Sequence, residues 1–93
     1  MIKVIIERRI ADDLAEFYEK VARETLRQAT QAPGFISGES LHNASDDNHR
    51  VVIAVYRSQL DWQRWHVSEE RRAITAKLKP LLQTEEKITI LQE

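Results

Sequence analysis

The apolar positions of the chain follow two different periods in turn. From Ile2 to Ile10 (IKVIIERRI), Ile2, Val4, Ile6 and Ile10 fall on one side of an extended backbone, with Lys3, Glu7 and Arg9 on the other. A period of two built on β-branched residues predicts a strand. Leu14, Phe17, Tyr18, Val21, Ala22, Leu26 and Ala29 then recur at helical spacing. Ala11-Asp12-Asp13 ahead of them offers carboxylates to the free N–H groups of a first helical turn. Pro33-Gly34 stops that helix near Gln31, because the residue before a proline is pushed out of the helical region. Phe35 to His42 predicts a second strand, Asn43 to Asn48 a polar turn, and Val51 to Arg57 (VVIAVYR) a third strand that completes a hairpin. Ser58-Gln59-Leu60-Asp61 has a hydroxyl and a carboxylate three residues apart, the pattern that satisfies free N–H groups at a helix start. Ser68-Glu69-Glu70 repeats a start signal. Leu60 to Lys79 therefore reads as two short helices or one kinked helix, closed by Pro80, and Glu86 to Leu91 (EKITIL) as the last strand.

The resulting order, β-α-β-β-α-β, predicts an α+β fold of the ferredoxin-like kind, an antiparallel sheet with helices on one face. Residues 1–93 read as one domain, a usual size for a single folding unit. The other sheet face still carries apolar residues with no segment left to cover it. A second copy of the sheet, related by a two-fold axis, is the expected cover, and a chain this short gains from the extra burial.

Composition narrows the function. Lys plus Arg at 14 against Asp plus Glu at 15 gives a net charge of −1, which argues against nucleic acid as a partner, since phosphate binding rests on clustered positive charge. With no cysteine there is no disulfide framework, thiol nucleophile or thiolate metal site. Apolar runs are too short for a membrane span or signal peptide. A soluble cytoplasmic homodimer is the expectation.

Two stretches resemble a known family. Pro33-Gly34-Phe35-Ile36-Ser37 opens the second strand, and Ser58-Gln59-Leu60-Asp61-Trp62-Gln63-Arg64-Trp65-His66-Val67-Ser68-Glu69-Glu70-Arg71 follows the third. With the element order they resemble the antibiotic biosynthesis monooxygenase domain family over essentially the whole chain. The resemblance implies a dimeric αβ-barrel with an apolar pocket between sheet and helices in each subunit. It also implies chemistry without a cofactor, on a hydroxylated aromatic or quinol-type molecule and dioxygen. The haem-degrading branch of the family uses a strand-one Asn, a helical Trp and a haem-ligating His ten residues after it. Here those positions are Arg8, Trp65 and Thr75, so that route is excluded.

Several residues are candidates for chemistry. Arg8 sits on the face of Ile2, Val4 and Ile6, where an apolar side chain is expected. It is either a cationic donor for a phenolate or carboxylate, or half of an ion pair, Glu39 being one partner, or it leaves the core at the strand end. Trp65 and Trp62 lie three apart on a helix; Trp65 suits a wall against a planar substrate, Trp62 the core or an interface. His66 titrates in the range of a general base but points about 100° away from Trp65. Glu39, read on the strand-two face of Phe35 and Leu41 with Ser37, is a second candidate base if burial raises its pKa. Arg8, Glu39 and His66 are thus the candidate catalytic residues, and Trp65, Tyr18 and Tyr56 the candidate substrate contacts. His42 and His49 flank Asp46 and Asp47 without a metal-binding motif. Arg71-Arg72 is too short to be a basic patch. A non-catalytic dimeric module that binds a small ligand is the alternative reading, since fold does not fix function.

Overall fold

The computed structural model describes residues 1–93. It has strands β1 (Ile2–Arg9), β2 (Phe35–Asn43), β3 (Asp46–Tyr56) and β4 (Lys87–Gln92), and helices α1 (Ala15–Ala29), α2 (Gln59–His66) and α3 (Glu69–Leu78), with a 3-10 turn at Lys79–Leu81. The sheet order is β2-β3-β1-β4 and every pairing is antiparallel. The chain has the expected ferredoxin-like fold.

Strand β1 alternates as its sequence predicts, with Ile2, Val4, Ile6 and Arg8 buried against the helices and Lys3 and Arg9 exposed. Ile10, fully buried, continues the strand through an antiparallel bridge to Leu82. The sheet's helix side and Trp62, Trp65 and Ile74 form the main core; Ile10, Tyr18 and Leu78 form a smaller one beside it. Phe17, assigned above to the apolar stripe of α1, lies at the stripe's edge and is exposed.

The start of α1 differs from expectation. Leu14 is its N-cap and no side chain bonds the free N–H groups. Asp12 instead accepts a hydrogen bond from Asn48 Nδ2 at 3.1 Å, and Asp13 takes a left-handed φ of 66°, a conformation that Asp tolerates in turns. The hairpin turn is also tighter than read. Asn43 faces Asp46 across the ladder, and Asn43 Oδ1 accepts from Ser45 N at 2.8 Å. The polar side chains that suggested a loop serve the backbone while β3 already pairs.

The two serine signals are both caps. Ser58 Oγ accepts from Asp61 N at 3.1 Å, and Ser68 Oγ accepts from Arg71 N at 3.1 Å. The segment is therefore two short helices. Gly34 has φ +86°, and a Cβ there would stand 2.4 Å from the Asp61 carboxylate. Only glycine allows β2 to begin so close to the start of α2.

A bulge at the start of β2 sets which residues face the helices. Phe35 is opposite Tyr56 but Ser37 is opposite Val55, so Ile36 is the extra residue. An extra residue shifts the side-chain alternation by one. Phe35 stays on the helix side, while Ser37 and Glu39 turn to the open face beside Val55 and Ile53. That open face also carries Ile5 and Val51, both half-buried, and the exposed Leu41 and Leu91.

Candidate functional site

Between the sheet and the helices lies a small cavity of about 30 Å³. Its floor is Ile6 and Arg8 of β1, Val52, Ala54 and Tyr56 of β3, and Phe35 of β2; α1 supplies Ala22, Thr25, Leu26 and Ala29, and Trp62, Trp65 and Arg71 close it. The aromatic wall is continuous. Phe35 meets Tyr56 edge-on at 5.5 Å between centroids, and Tyr56 meets Trp62 at 5.4 Å, the edge-to-face arrangement aromatic quadrupoles prefer.

Two buried arginines line this apolar space. Arg8, 3 % exposed, donates from Nε to Glu86 Oε2 at 3.0 Å and from Nη1 to the Tyr18 hydroxyl at 3.2 Å. Arg71, 5 % exposed, donates from Nη2 to Glu86 Oε1 at 2.7 Å and from Nη1 to Thr75 Oγ1 at 3.4 Å. Arg71 also lies 5.5 Å from the centroid of Trp62, within reach of a cation–π attraction. One carboxylate thus bridges two buried cations.

The electrostatics follow from that bridge. Burial pushes the Glu86 carboxyl upward, but Arg71 first and Arg8 second outweigh it and hold its pKa below the usual 4.5. Burial raises the Tyr56 phenol to about 12, against a smaller opposing pull from Arg71. Partial desolvation and the Arg71 charge lower His66 from 6.5, against a smaller opposing pull from Glu86, which disfavours its cationic form.

Of the residues predicted from sequence, the fold brings Arg8, Trp65, Tyr18 and Tyr56 together. Tyr18 touches Arg8 from the smaller core, and Tyr56 and Trp65 line the cavity. Glu39 is not there. The bulge at Ile36 puts it exposed on the opposite sheet face, and the anion beside Arg8 is Glu86. His66 is exposed and stacked on Trp62 at 5.2 Å. It borders a separate cleft of about 280 Å³ with Arg71, Thr75, Lys79, Glu85 and Glu86. No three His, Asp or Glu side chains converge as metal ligands; His49 pairs with Glu7 at 3.5 Å.

Arg71 and Glu86 are the members of this buried cluster that sequence reading missed, and a signal for both exists. Arg71 shares the face of Ile74 and Leu78 on α3, and Glu86 stands two residues before Ile88 and four before Ile90, which pack on the core. Each is a charge on an apolar face, the same anomaly that marked Arg8.

Trp65 divides two spaces. It is 8 % exposed and lines both the inner cavity and a surface cleft of about 360 Å³ that includes Gln28, Gln31, Arg64 and Glu70.

The fold and this cavity define an αβ sandwich with an aromatic-walled, cationic pocket between its layers. The chain belongs to the antibiotic biosynthesis monooxygenase family, whose model matches residues 1–77. No curated protein matches it in sequence. Among solved structures it is similar to SnoaB, a cofactor-independent oxygenase from Streptomyces nogalater, with 20 % identity, a TM-score of 0.83, and 99 % of this chain and 94 % of that one covered. It is similar to PA3566 from Pseudomonas aeruginosa at 20 % identity and TM-score 0.86, covering 99 % and 92 %. A conserved protein from Methanosarcina mazei has TM-score 0.92 at 12 % identity, covering 99 % and 91 %. At these identities the likeness is one of fold. No helix is long and apolar enough to cross a membrane.

Proposed function

We propose that the chain is a cofactor-independent monooxygenase of a hydroxylated aromatic or quinol-type molecule, acting as a cytoplasmic homodimer. Family membership supports the reaction class, and one observation carries the reading to this site: an aromatic-walled cavity lined by a buried arginine, Arg8. In such a reaction the substrate's own carbanion passes electrons to dioxygen. A C–O bond forms to give a peroxide, the O–O bond breaks with loss of water, and a carbonyl remains, so one oxygen atom stays in the product. The protein's part is to hold the ring, steady the anion and keep water out. Phe35, Tyr56 and Trp65 are the wall, Arg8 is the anion donor, and the Tyr18 hydroxyl orients Arg8.

About 30 Å³ holds roughly one water molecule, so a ring enters only if a wall moves. Trp65 is the side chain whose rotation would join the cavity to the larger cleft. The closed volume equally favours a second reading, a module whose pocket is filled by its own side chains and which performs no reaction. Incubating metal-stripped, flavin-free protein with an anthrone under ¹⁸O₂ separates the two. The monooxygenase reading expects one labelled oxygen in the product carbonyl; label at or below the uncatalysed level contradicts it.

The homodimer rests on the uncovered sheet face of Ile5, Val51, Ile53 and Val55. Light scattering at micromolar concentration is expected to give twice 10.9 kDa; a stable folded monomer would contradict it.

A further inference from the structure

Glu86 is the one carboxylate that touches Arg8 and Arg71, which leaves this buried cluster one positive charge in excess. The groups in contact with the pair do not remove it, and the two carboxylates of the Arg50 group beyond Tyr18, Glu19 and Asp47, are half or more open to solvent, which screens them. Tyr18 and Thr75 are neutral acceptors. Tyr56 keeps its proton to about 12, and partial desolvation and the Arg71 charge lower the pKa of His66 in the outer cleft, which disfavours its cationic form. On that outer side Lys79 and Glu85 offset each other. Excess buried charge is costly without a counter-ion.

Two of the six guanidinium nitrogens are also unused. Arg8 Nη2 and Arg71 Nε make no hydrogen bond within the chain, whereas every fully enclosed side-chain nitrogen and oxygen has a partner. These two nitrogens are therefore not fully enclosed; both residues line the cavity, and Arg71 borders the outer cleft as well. No cavity-lining group is a base near neutral pH: the lining carries two arginines and one tyrosine as its titratable side chains. Glu86, behind them, is held ionised with both oxygens bonded to guanidinium.

We infer that Arg71, together with Arg8, makes the cavity selective for the ionised form of its aromatic ligand, so that an aromatic hydroxyl is bound as its oxyanion. The inference rests on the cavity being a ligand site, as proposed above, and adds which form of the ligand it takes and which residue decides this. The oxyanion supplies the missing negative charge and accepts charge-assisted hydrogen bonds from the free donors. Its proton passes to water on entry, and the site replaces a general base by favouring the product of deprotonation.

The test uses 4-nitrophenol, whose phenolate absorbs in the visible, and its methyl ether, 4-nitroanisole, as the uncharged control. Binding that favours the anion lowers the apparent pKa of bound nitrophenol by the logarithm of the affinity ratio, a tenfold preference for each pKa unit. With the intact protein we expect a fall of about one unit or more. In Arg71→Met the fall should shrink below about 0.3 unit, a twofold preference, while nitroanisole affinity stays within about threefold. Arg71→Lys, which keeps the charge and loses the planar fork, should retain part of the shift and covers the case in which Arg71→Met does not fold. Glu86→Gln raises the excess charge and should increase the shift. An unshifted nitrophenol that binds no better than nitroanisole, or a full shift in Arg71→Met, overturns the inference and leaves the ligand site standing. Failure of both probes to bind overturns the inference and the site together.

Discussion

Arg8 and Arg50 stand opposite each other in the β1–β3 register, both buried, and both reach the ring of Tyr18, at 6.0 and 5.7 Å from its centroid. Their surroundings differ. Arg50 donates from Nη1 to Glu19 at 3.1 Å, from Nη2 to Asp47 at 3.2 Å and from Nε to the Asp47 carbonyl at 2.7 Å. It has two carboxylates of its own, and all three of its nitrogens are bonded. Arg8 shares one carboxylate with Arg71, each of the two keeps one nitrogen without a partner, and both residues line a cavity. A buried arginine is therefore not in itself a sign of function. The informative features are the balance of charge around it and whether all of its nitrogens are bonded.

The comparison can be broken at its anions, and the largest effect is expected at Glu86. Glu86→Gln leaves two buried guanidiniums without a counter-charge. It should cost about 3 kcal/mol, near the lower end for breaking a buried pair. That corresponds to a fall in Tm of roughly 10–20 °C for a domain of this size, read by thermal denaturation. A loss below ~1 kcal/mol would mean that the cluster is not buried as described.

Acid should act on the same cluster. The folded-state pKa of Glu86 lies below its ordinary 4.5. Its contribution to stability is therefore complete above that value and is lost as pH falls from about 4.5 through the folded pKa. Urea unfolding of the native protein and of Glu86→Gln should show a gap that is constant above pH 5 and narrows below about 4.5. A gap that widens with acid would reverse the sign of the account.

Smaller effects sharpen the contrast. Tyr18→Phe removes the hydroxyl that accepts from Arg8 but keeps the ring between the two arginines, so a loss of about 1 kcal/mol is expected. Glu19→Gln, at a side chain half open to solvent, should change stability by less than ~1 kcal/mol, because Asp47 remains with Arg50. A Glu19 effect equal to that of Glu86 would erase the distinction between the two ends.

The fold was legible because its signals are local. Period-two runs, two serine caps and Pro33-Gly34 each act within a few residues, and the whole element order follows from them. The site was legible in part. Arg8 interrupts an apolar face and could be singled out, whereas Arg71 looked like one of two adjacent surface cations. Its burial depends on the Ser68 cap, which fixes the phase of α3 and turns Arg71 to the side of Ile74 and Leu78. Glu39 was placed wrongly because one extra residue at Ile36 reverses every later side chain of β2, and alternation counting assumes an unbroken ladder. The pairing of Glu86 with Arg8, 78 residues apart in the chain, follows only once β4 is known to lie beside β1.

The most direct test of the central claim is dioxygen uptake by the metal-stripped, flavin-free protein on an anthrone, with Arg71→Met and Arg50→Met run beside it. The account predicts cofactor-free uptake by the native protein. It predicts a loss of about 10²-fold in Arg71→Met, the size expected for removing one donor that steadies a developing anion, and near-native turnover per folded molecule in Arg50→Met. Equal losses in the two variants, or no uptake above the uncatalysed rate in the native protein, would contradict it.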